Sequence, residues 1–457
     1  MNVVNPATGE VVRSLQETDV ASLPARLAAA RVAQRSWAKA PVSERKAVLA
    51  RFRQLVSDRK SELAATLTLE VGKPLKQANN ELNGLLPRID FFLEHFEAEL
   101  GPRAVLGAAG DALEERIAFE PLGVIANVSA WNYPYFVGSN VFVPALLTGN
   151  AVLYKPSELA SLTGLAIDRL LHEAGVPDDV FQTVIGGREL GAALVDQAVD
   201  GVFFTGSYAT GKKIAERVAP RMIRLQLELG GKDPAYVTDE VDVAAAAAAV
   251  ADGAFYNAGQ SCCAVERVYV HEKIYAAFVD SLAAEVKSFK LGDPNDDATY
   301  IGPLCRGEAA IADLSAQVLD AEQQGGRVLV GGKRAARHGA YFEPTVIVDV
   351  KPSMRVMRDE SFGPIIGVAS VASDEAALSA MADTEYGLTA AVYTQNEARA
   401  ERILAELPVG SAYVNCCDRV SPRLPWTGRK HSGIGSTLST LGIQAFVQPK
   451  AWHIRRG

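Results

Sequence analysis

The sequence predicts an α/β fold built on two parallel sheets. Short apolar runs that are typical of buried strands alternate with helical patterns over residues 123–218, and the same alternation returns over residues 234–414. Strands and helices that alternate in this way form parallel sheets covered by helices on both faces. A chain of 457 residues has room for two or three domains of roughly 150 residues each.

The individual elements can be placed in chain order. Residues 21–100 are predicted to be helical, because apolar side chains recur three to four residues apart among charged ones. The first series has predicted strands at 123–126, 151–154, 182–185 and 201–204, with helices at 160–174, 188–196 and 208–218. The second series has predicted strands at 234–237, 267–270, 345–349, 366–371, 390–393 and 411–414. The junction between the two domains is expected near residues 228–231.

The composition excludes several classes of function. The chain is 48% hydrophobic and 22% charged with a formal net charge of −8, and it has no lysine and arginine run that could bind nucleic acid. Its longest apolar stretch, 241–255, is mostly alanine and is interrupted by two aspartates, so it does not predict a membrane span. Five cysteines without metal-ligand spacing or a Cys-x-x-Cys motif argue against a disulfide framework and a metal site. We therefore expect a cytoplasmic protein.

Cys262 is the candidate nucleophile. It ends the run NAGQSC at 257–262, in which Gly259 lets the backbone approach a ligand closely. Glu228, thirty-four residues earlier, is a candidate base that could activate a water beside the sulfur. The alternative interpretation is a buried cysteine that only fills space. Because Cys263 follows directly, only one of the two thiols can face a given pocket.

Polar residues follow two strands of the first series, where ligands of open α/β sheets bind. Lys155 and Glu158 follow the strand at 151–154 and could hold a ribose. Gly206 and Ser207 follow the strand at 201–204 and lead into a helix N-terminus, which is a natural phosphate site. Alternatively, Lys155 and Glu158 form a solvated salt bridge and Ser207 caps the helix. Without a G-x-G-x-x-G fingerprint, these residues alone leave a dinucleotide site open.

Six motifs resemble, in order and spacing, those of the NAD(P)-dependent aldehyde dehydrogenase superfamily. They are SAWNYP at 129–134, KPSE at 155–158, FTGS at 204–207, ELGGK at 228–232, GQSC at 259–262 and ESFGP at 360–364. The resemblance extends over essentially the whole chain. It implies a Rossmann-type cofactor domain from residues 1–100 and 121–228, and an α/β catalytic domain over 229–430. A small β oligomerisation element would comprise the hairpin at 101–120 and the C-terminal strand within 431–457.

The resemblance also implies a mechanism. Cys262 would attack the aldehyde carbon to give a thiohemiacetal, whose oxyanion the Asn132 amide and the Cys262 backbone N–H would hold. Hydride transfer to the nicotinamide would leave a thioester. Glu228, on the turn between the domains, would activate the water that hydrolyses this thioester to the carboxylic acid.

Eight residues would bind the cofactor according to the same resemblance. They are Trp131, Lys155, Ser157, Glu158, Gly206, Ser207, Glu360 and Phe362. Glu158 would accept hydrogen bonds from both hydroxyls of the adenine ribose and would repel a 2′-phosphate. NAD is therefore favoured over NADP, although NADP is also possible.

The substrate is expected to be a neutral aliphatic or aromatic aldehyde. Succinate-semialdehyde dehydrogenases typically carry arginines where this chain has Tyr256 and Asn140, and these arginines pair with the substrate carboxylate. Succinate semialdehyde is the alternative substrate, with Arg419 or Arg423 as a substitute partner. Aromatic residues occupy the positions that border the substrate tunnel in relatives, unless they are plain core: Tyr133, Phe136, Tyr256 and Trp426.

Three other functions stay open from the sequence. CoA-acylating relatives pass the acyl group to a thiol, but they typically lack the carboxylate that this chain has in Glu228. A non-catalytic binding or structural protein on this fold would tend to lose the nucleophile or the cofactor contacts. A cofactor-free thiol hydrolase would need a histidine near Cys262.

A homodimer or homotetramer is also expected. In relatives, the hairpin and the C-terminal strand exchange contacts between subunits. Alternating residues over 112–118 and the closing run at 450–455 fit edge strands that would otherwise be exposed.

Overall fold

The computed structural model describes residues 1–456 and confirms the α/β class. It opens with a short antiparallel pair, Asn2–Val4 with Val11–Ser14. A helical layer follows, as the apolar periodicity predicts, and its helices are Leu23–Lys39, Val42–Asp58, Lys60–Val71 and Leu75–Leu100.

A six-stranded sheet, here called the cofactor sheet, contains all four strands predicted for the first series. In spatial order its strands are Gly433–Ile434, Arg224–Glu228, Gly201–Thr205, Val124–Val128, Ala151–Lys155 and Phe181–Thr183. Only Gly433–Ile434 is antiparallel to its neighbour. The associated helices are Pro134–Leu147, Ser161–Ala174, Arg188–Asp196 and Tyr208–Val218. The strand order reverses direction beside Val124–Val128, which is where such sheets bind ligands.

A seven-stranded sheet, here called the catalytic sheet, holds the second series. Its order is Arg327–Val330, Thr345–Val348, Ile365–Val371, Val265–His271, Asp233–Val237, Thr389–Tyr393 and Ser411–Val414. The edge strand Arg327–Val330 pairs antiparallel, whereas the other pairings are parallel. Its helices are Val243–Phe255, Tyr275–Ser288, Glu308–Gln323, Arg355–Arg358, Asp374–Ala382 and Glu397–Ala405.

A three-stranded antiparallel sheet forms from the predicted hairpin and the chain end. Leu113–Pro121 is central, between Arg103–Leu106 and Val447–Arg455. The C-terminal strand therefore pairs with the hairpin of its own chain. The rest of the C-terminal segment differs from the expected division, because Gly433–Ile434 belongs to the cofactor sheet and the helix Ser439–Gln444 packs on Leu75–Leu100.

The cofactor sheet separates two apolar cores. Val124, Ala126 and Leu153 face one core, while Ile125 and Val152 face the other. This alternation is the period of two expected for a strand covered on both faces. A separate core surrounds the catalytic sheet. Across residues 1–456, no helix combines the length and apolar character needed to cross a bilayer.

Candidate functional site

The Cys262 loop connects the helix Val243–Phe255 to the strand Val265–His271. It turns sharply, since Asn257 and Ala258 adopt left-handed φ values of 54° and 55°. Gly259 follows at φ 69°, and a Cβ there would lie 2.3 Å from the carbonyl oxygen of Gly363. Only glycine meets both demands without strain. The turn leaves Cys262 half-buried at the amino end of its strand.

Asn132 is held directly against this loop. Its Nδ2 donates to the carbonyl oxygen of Gln260 at 3.2 Å, and Nδ2 of Asn257 donates to the Asn132 carbonyl oxygen at 3.2 Å. Asn132 follows the carboxyl end of the cofactor strand Val124–Val128, so these bonds join the two sheets at the candidate site. A carboxamide has two N–H donors. One remains for an oxyanion after the bond to Gln260.

Cys263 differs from Cys262 in burial and bonding. It is 2% exposed, and its Sγ donates to Oδ1 of Asp418 at 2.8 Å. A hydrogen bond with Cys262, together with burial, holds the pKa of Cys263 well above the usual range of a thiol. A thiol is a far weaker nucleophile than a thiolate. Cys262 is therefore the better candidate of the two.

Glu228 is the last residue of the strand Arg224–Glu228, and not a turn residue as the sequence analysis expected. Its carboxylate accepts hydrogen bonds from Thr437 Oγ1, from Thr205 Oγ1 at 3.4 Å, and from Gln226 Nε2 at 3.3 Å. Burial nevertheless raises the pKa of Glu228 to about 7. A carboxyl group with this pKa can accept a proton from water near neutral pH.

Glu360 and Phe362 reach the site on a loop that contacts the Gly230-Gly231 backbone. Oε1 of Glu360 accepts the Gly231 N–H at 3.1 Å, and a Cβ at Gly230 would lie 2.2 Å from that oxygen. Burial raises the pKa of Glu360 to about 8. The Phe362 ring lies edge-on to Trp131, with ring centroids 5.4 Å apart.

A buried ion pair supports this loop. Lys232 Nζ lies 2.6 Å from Glu266 Oε2, and the carboxylate of Glu266 accepts the backbone N–H groups of Ser361 and Phe362 at 2.8 and 2.9 Å. The network anchors the Glu360 loop to Lys232, the residue that follows Gly230 and Gly231. The charged groups of the network accept or donate hydrogen bonds within it. Buried charges that are paired in this way can stabilise one conformation of the loop.

The remaining predicted cofactor residues lie at the carboxyl ends of the cofactor strands. Lys155 is buried, with Nζ 3.6 Å from Oε2 of the half-exposed Glu158. The Ser157 hydroxyl accepts the N–H of Leu159, and the exposed Ser207 hydroxyl accepts that of Thr210. Both serines therefore cap helices, and Ser207 and Gly206 precede the helix Tyr208–Val218. A helix N-terminus with free N–H groups can bind a phosphate in addition to being capped.

Of the four predicted tunnel residues, the structure places Tyr133 and Phe136 in direct contact. The Tyr133 and Phe136 rings stack with centroids 5.8 Å apart, and Lys73 Nζ lies 3.6 Å from the centroid of Tyr133. The Tyr256 hydroxyl accepts a hydrogen bond from Asn80 at 3.1 Å. Trp426 is buried in the apolar cluster against which Phe136 packs. Its backbone pairs with Thr437, the residue whose hydroxyl contacts Glu228.

Arg88 lies against one of these tunnel residues, although no sequence motif identified it. Its guanidinium lies 4.0 Å from the centroid of the Phe136 ring. The signal was present in the helix Leu75–Leu100, because Arg88 lies three residues after Leu85 and four before Phe92, on the face that these buried side chains share. A charged residue at such a position is buried with them.

Comparison with known proteins decides the family. The model of the aldehyde dehydrogenase family matches residues 1–452. The chain belongs to the aldehyde dehydrogenase family. It is 36% identical over 448 residues to a succinate-semialdehyde dehydrogenase [NADP(+)] from Deinococcus radiodurans, covering 98% of this chain and 93% of the relative. It is 34% identical to a peroxisomal aminoaldehyde dehydrogenase 2 from Malus domestica, covering 98% and 91%.

Solved structures agree with this assignment. A betaine aldehyde dehydrogenase from Staphylococcus aureus in complex with NAD+ superimposes with a TM-score of 0.95 at 30% identity, covering all of this chain and 92% of the other. The protein is an NAD(P)-dependent aldehyde dehydrogenase, as its motifs predicted. The residues present fit such a cofactor. Gly230 and Gly231 leave room against Glu360, Trp131 meets Phe362, and a helix N-terminus follows Gly206.

Proposed function

We propose that Cys262, Asn132 and Glu228 carry out aldehyde oxidation in this enzyme. The observation that carries the proposal is the direct bond between the Asn132 amide and the Cys262 loop, at the junction of the two sheets. The Cys262 thiolate attacks the aldehyde carbon, and the oxyanion that forms accepts hydrogen bonds from the Asn132 side chain and the Cys262 backbone N–H. When bound, NAD(P)+ accepts the hydride that leaves this carbon.

Glu228 completes the reaction in this proposal. Its carboxylate takes a proton from a water molecule, whose oxygen attacks the thioester carbon and releases the carboxylic acid and the Cys262 thiolate. The raised pKa, about 7, supports this role, because the group is partly ionised near neutral pH and its carboxylate is more basic than an ordinary one. Retention of this carboxylate favours water over CoA as the acyl acceptor.

We also propose which residues hold the cofactor. Lys155, Ser157 and Glu158 lie at one strand end, and Gly206 and Ser207 lie at the helix N-terminus that would receive the pyrophosphate. Trp131, Glu360 and Phe362 would enclose the nicotinamide end. The preference for NAD stays a prediction that rests on Glu158, whose half-exposed carboxylate would face the ribose hydroxyls.

Asn132→Ala tests the oxyanion site. Removing one of two donors is expected to lower kcat for aldehyde oxidation by about 10²–10³-fold. The formation of NADH is followed by absorbance, and the affinity of the variant for NADH is measured by fluorescence titration. Unchanged NADH affinity with lost turnover supports the proposal. A variant with near-normal kcat would contradict it.

We further propose a homodimer or homotetramer in the cytoplasm. The outer strand Val447–Arg455 has one unpaired edge, and Trp452 on it is 40% exposed with the guanidinium of Arg116 over its ring. An exposed edge strand of this length is a site for pairing with a second chain. All five cysteines are free thiols, which supports a reducing compartment. Light scattering of the purified protein distinguishes a monomer from two or four copies.

A further inference from the structure

Arg88 is a buried cation without an anionic partner. The residue is 4% exposed, and its hydrogen bonds run from Nη1 to the Asn140 side-chain oxygen and from Nη2 to the Val420 carbonyl oxygen, both at 3.2 Å. Within residues 1–456, no carboxylate oxygen lies within 4.0 Å of its nitrogens. Burial lowers the pKa of Arg88 to about 10, so the group stays charged at neutral pH.

The other buried cations of the region behave differently. Lys73 lies 2.5 Å from a Glu81 oxygen, and Lys232 lies 2.6 Å from a Glu266 oxygen. Each of these charges is compensated inside the protein. A guanidinium has five N–H donors, and the two neutral acceptors of Arg88 satisfy only part of them. A buried cation without a carboxylate in direct contact is destabilising, which favours a ligand that supplies the anion.

Arg88 lies beside two of the predicted tunnel residues. It covers the ring of Phe136, which stacks on Tyr133, the residue that follows the oxyanion asparagine. Phe136, Val420 and Cys262 pack against one apolar cluster. Burial raises the pKa of Glu228, and the positive charge of Arg88 partly opposes that shift. An anionic end of a substrate held at Cys262 could therefore reach the guanidinium.

We propose that Arg88 binds a carboxylate at the far end of the aldehyde substrate, so that the enzyme oxidises an ω-carboxylate aldehyde. This inference rests on the proposed function and replaces the expectation of a neutral aldehyde. Arg419 and Arg423 are less suited to the role. The Arg419 side chain is 68% exposed and lies 3.5 Å from Asp252, and Arg423 is exposed. Lys73 and Lys232 do not compete, since each is paired with its own carboxylate.

A carboxylate fits the site better than a phosphate. One guanidinium can bind a carboxylate monoanion through two parallel N–H donors. A phosphate dianion would bring a second negative charge close to Glu228 and Glu81, both of which interact with Arg88. No second uncompensated cation lies among these groups to balance it, since Lys73 is paired with Glu81.

The test compares acids with neutral aldehydes of matched length. The acids are glyoxylate, malonate semialdehyde, succinate semialdehyde and glutarate semialdehyde, each against the unbranched aldehyde with the same number of carbons. For wild type, at least one acid is expected to exceed its neutral counterpart in kcat/KM by about 10- to 100-fold. Arg88→Met is expected to remove this advantage through KM for the acids, whereas any change in kcat through the pKa of Glu228 would affect acids and neutral aldehydes alike. Arg88→Lys keeps the charge and is expected to restore part of it.

A comparison of inhibitors keeps the test decisive. A dicarboxylate of matching length should inhibit wild type competitively against the aldehyde, and the monocarboxylate should inhibit at least about 10-fold more weakly. This comparison needs no variant to fold. Equal kinetics for acids and neutral aldehydes, equal loss of both in Arg88→Met, or a preference for glyceraldehyde 3-phosphate would overturn the inference. A wild type that oxidises no aldehyde at all would overturn the proposed function as well, whereas turnover of neutral aldehydes alone overturns only the role of Arg88.

Discussion

Cys262→Ala is expected to lower the rate of aldehyde oxidation by at least about 10³-fold, since no other group can form the covalent intermediate. Cys262 is the half-buried thiol of the loop that contacts Asn132. Alanine removes the sulfur and leaves the backbone N–H, so the fold of the loop and the cofactor residues should be unaffected. The measurement is NADH formation over a range of enzyme concentrations that can detect residual turnover.

Cys263→Ala is the matched control for that variant. It removes a thiol of the same type from the neighbouring position, where the sulfur is buried and donates to Asp418. We expect nearly full activity, with a loss of stability of about 0.5–1.5 kcal/mol, because Asp418 loses one hydrogen-bond donor and keeps Ser261 as the other. Thermal unfolding measures that loss. Comparable loss of activity in both variants would mean that the loop, and not the Cys262 sulfur, is the sensitive feature.

Most strands could be predicted because they are buried on both faces. Ala151–Lys155 and Val124–Val128 are fully buried along their length, and the apolar runs 151–154 and 124–126 within them are visible in the sequence. Arg224–Glu228 escaped prediction because charged residues begin and end it, and only its position between two other strands makes it a strand. The edge strand Arg327–Val330 also escaped prediction, because it is only partly buried and has no continuous run of buried apolar residues.

Some residues of the candidate site could likewise be predicted from the sequence, and one could not. The positions of Cys262, Asn132 and Glu228 in the sequence were found from motifs, and the structure adds the hydrogen bond that joins Asn132 to the Gln260 carbonyl. Arg88 belongs to no such motif. Its importance depends on what surrounds the guanidinium, namely a ring, an amide oxygen and a carbonyl oxygen from three distant segments. A sequence pattern can place a charge on a buried helix face, but it cannot reveal whether a carboxylate lies opposite.

Glu228→Gln is expected to separate acylation of the enzyme from hydrolysis. With p-nitrophenyl acetate, the Cys262 thiolate attacks the ester carbon, releases p-nitrophenolate and retains the acetyl group as a thioester. Glutamine cannot accept a proton from water, so the variant should give a stoichiometric burst of p-nitrophenolate and then turn over about 10²–10⁴-fold more slowly than wild type. Stopped-flow absorbance measures both phases without any cofactor. A variant that lacks the burst would place Glu228 in the acylation step instead.

The pH dependence supplies an independent test of the same role. Because burial raises the pKa of Glu228 to about 7, the carboxylate is largely protonated below that pH and cannot act as a base. Steady-state turnover of wild type should therefore rise with pH through about 7, and this limb should disappear in Glu228→Gln. Glu70→Gln is the matched control, since Glu70 is also buried with a pKa of about 7 but binds the backbone N–H groups of Leu162 and Thr163. That variant should keep the limb and lose only stability, because Glu70 has no part in the proposed activation of water.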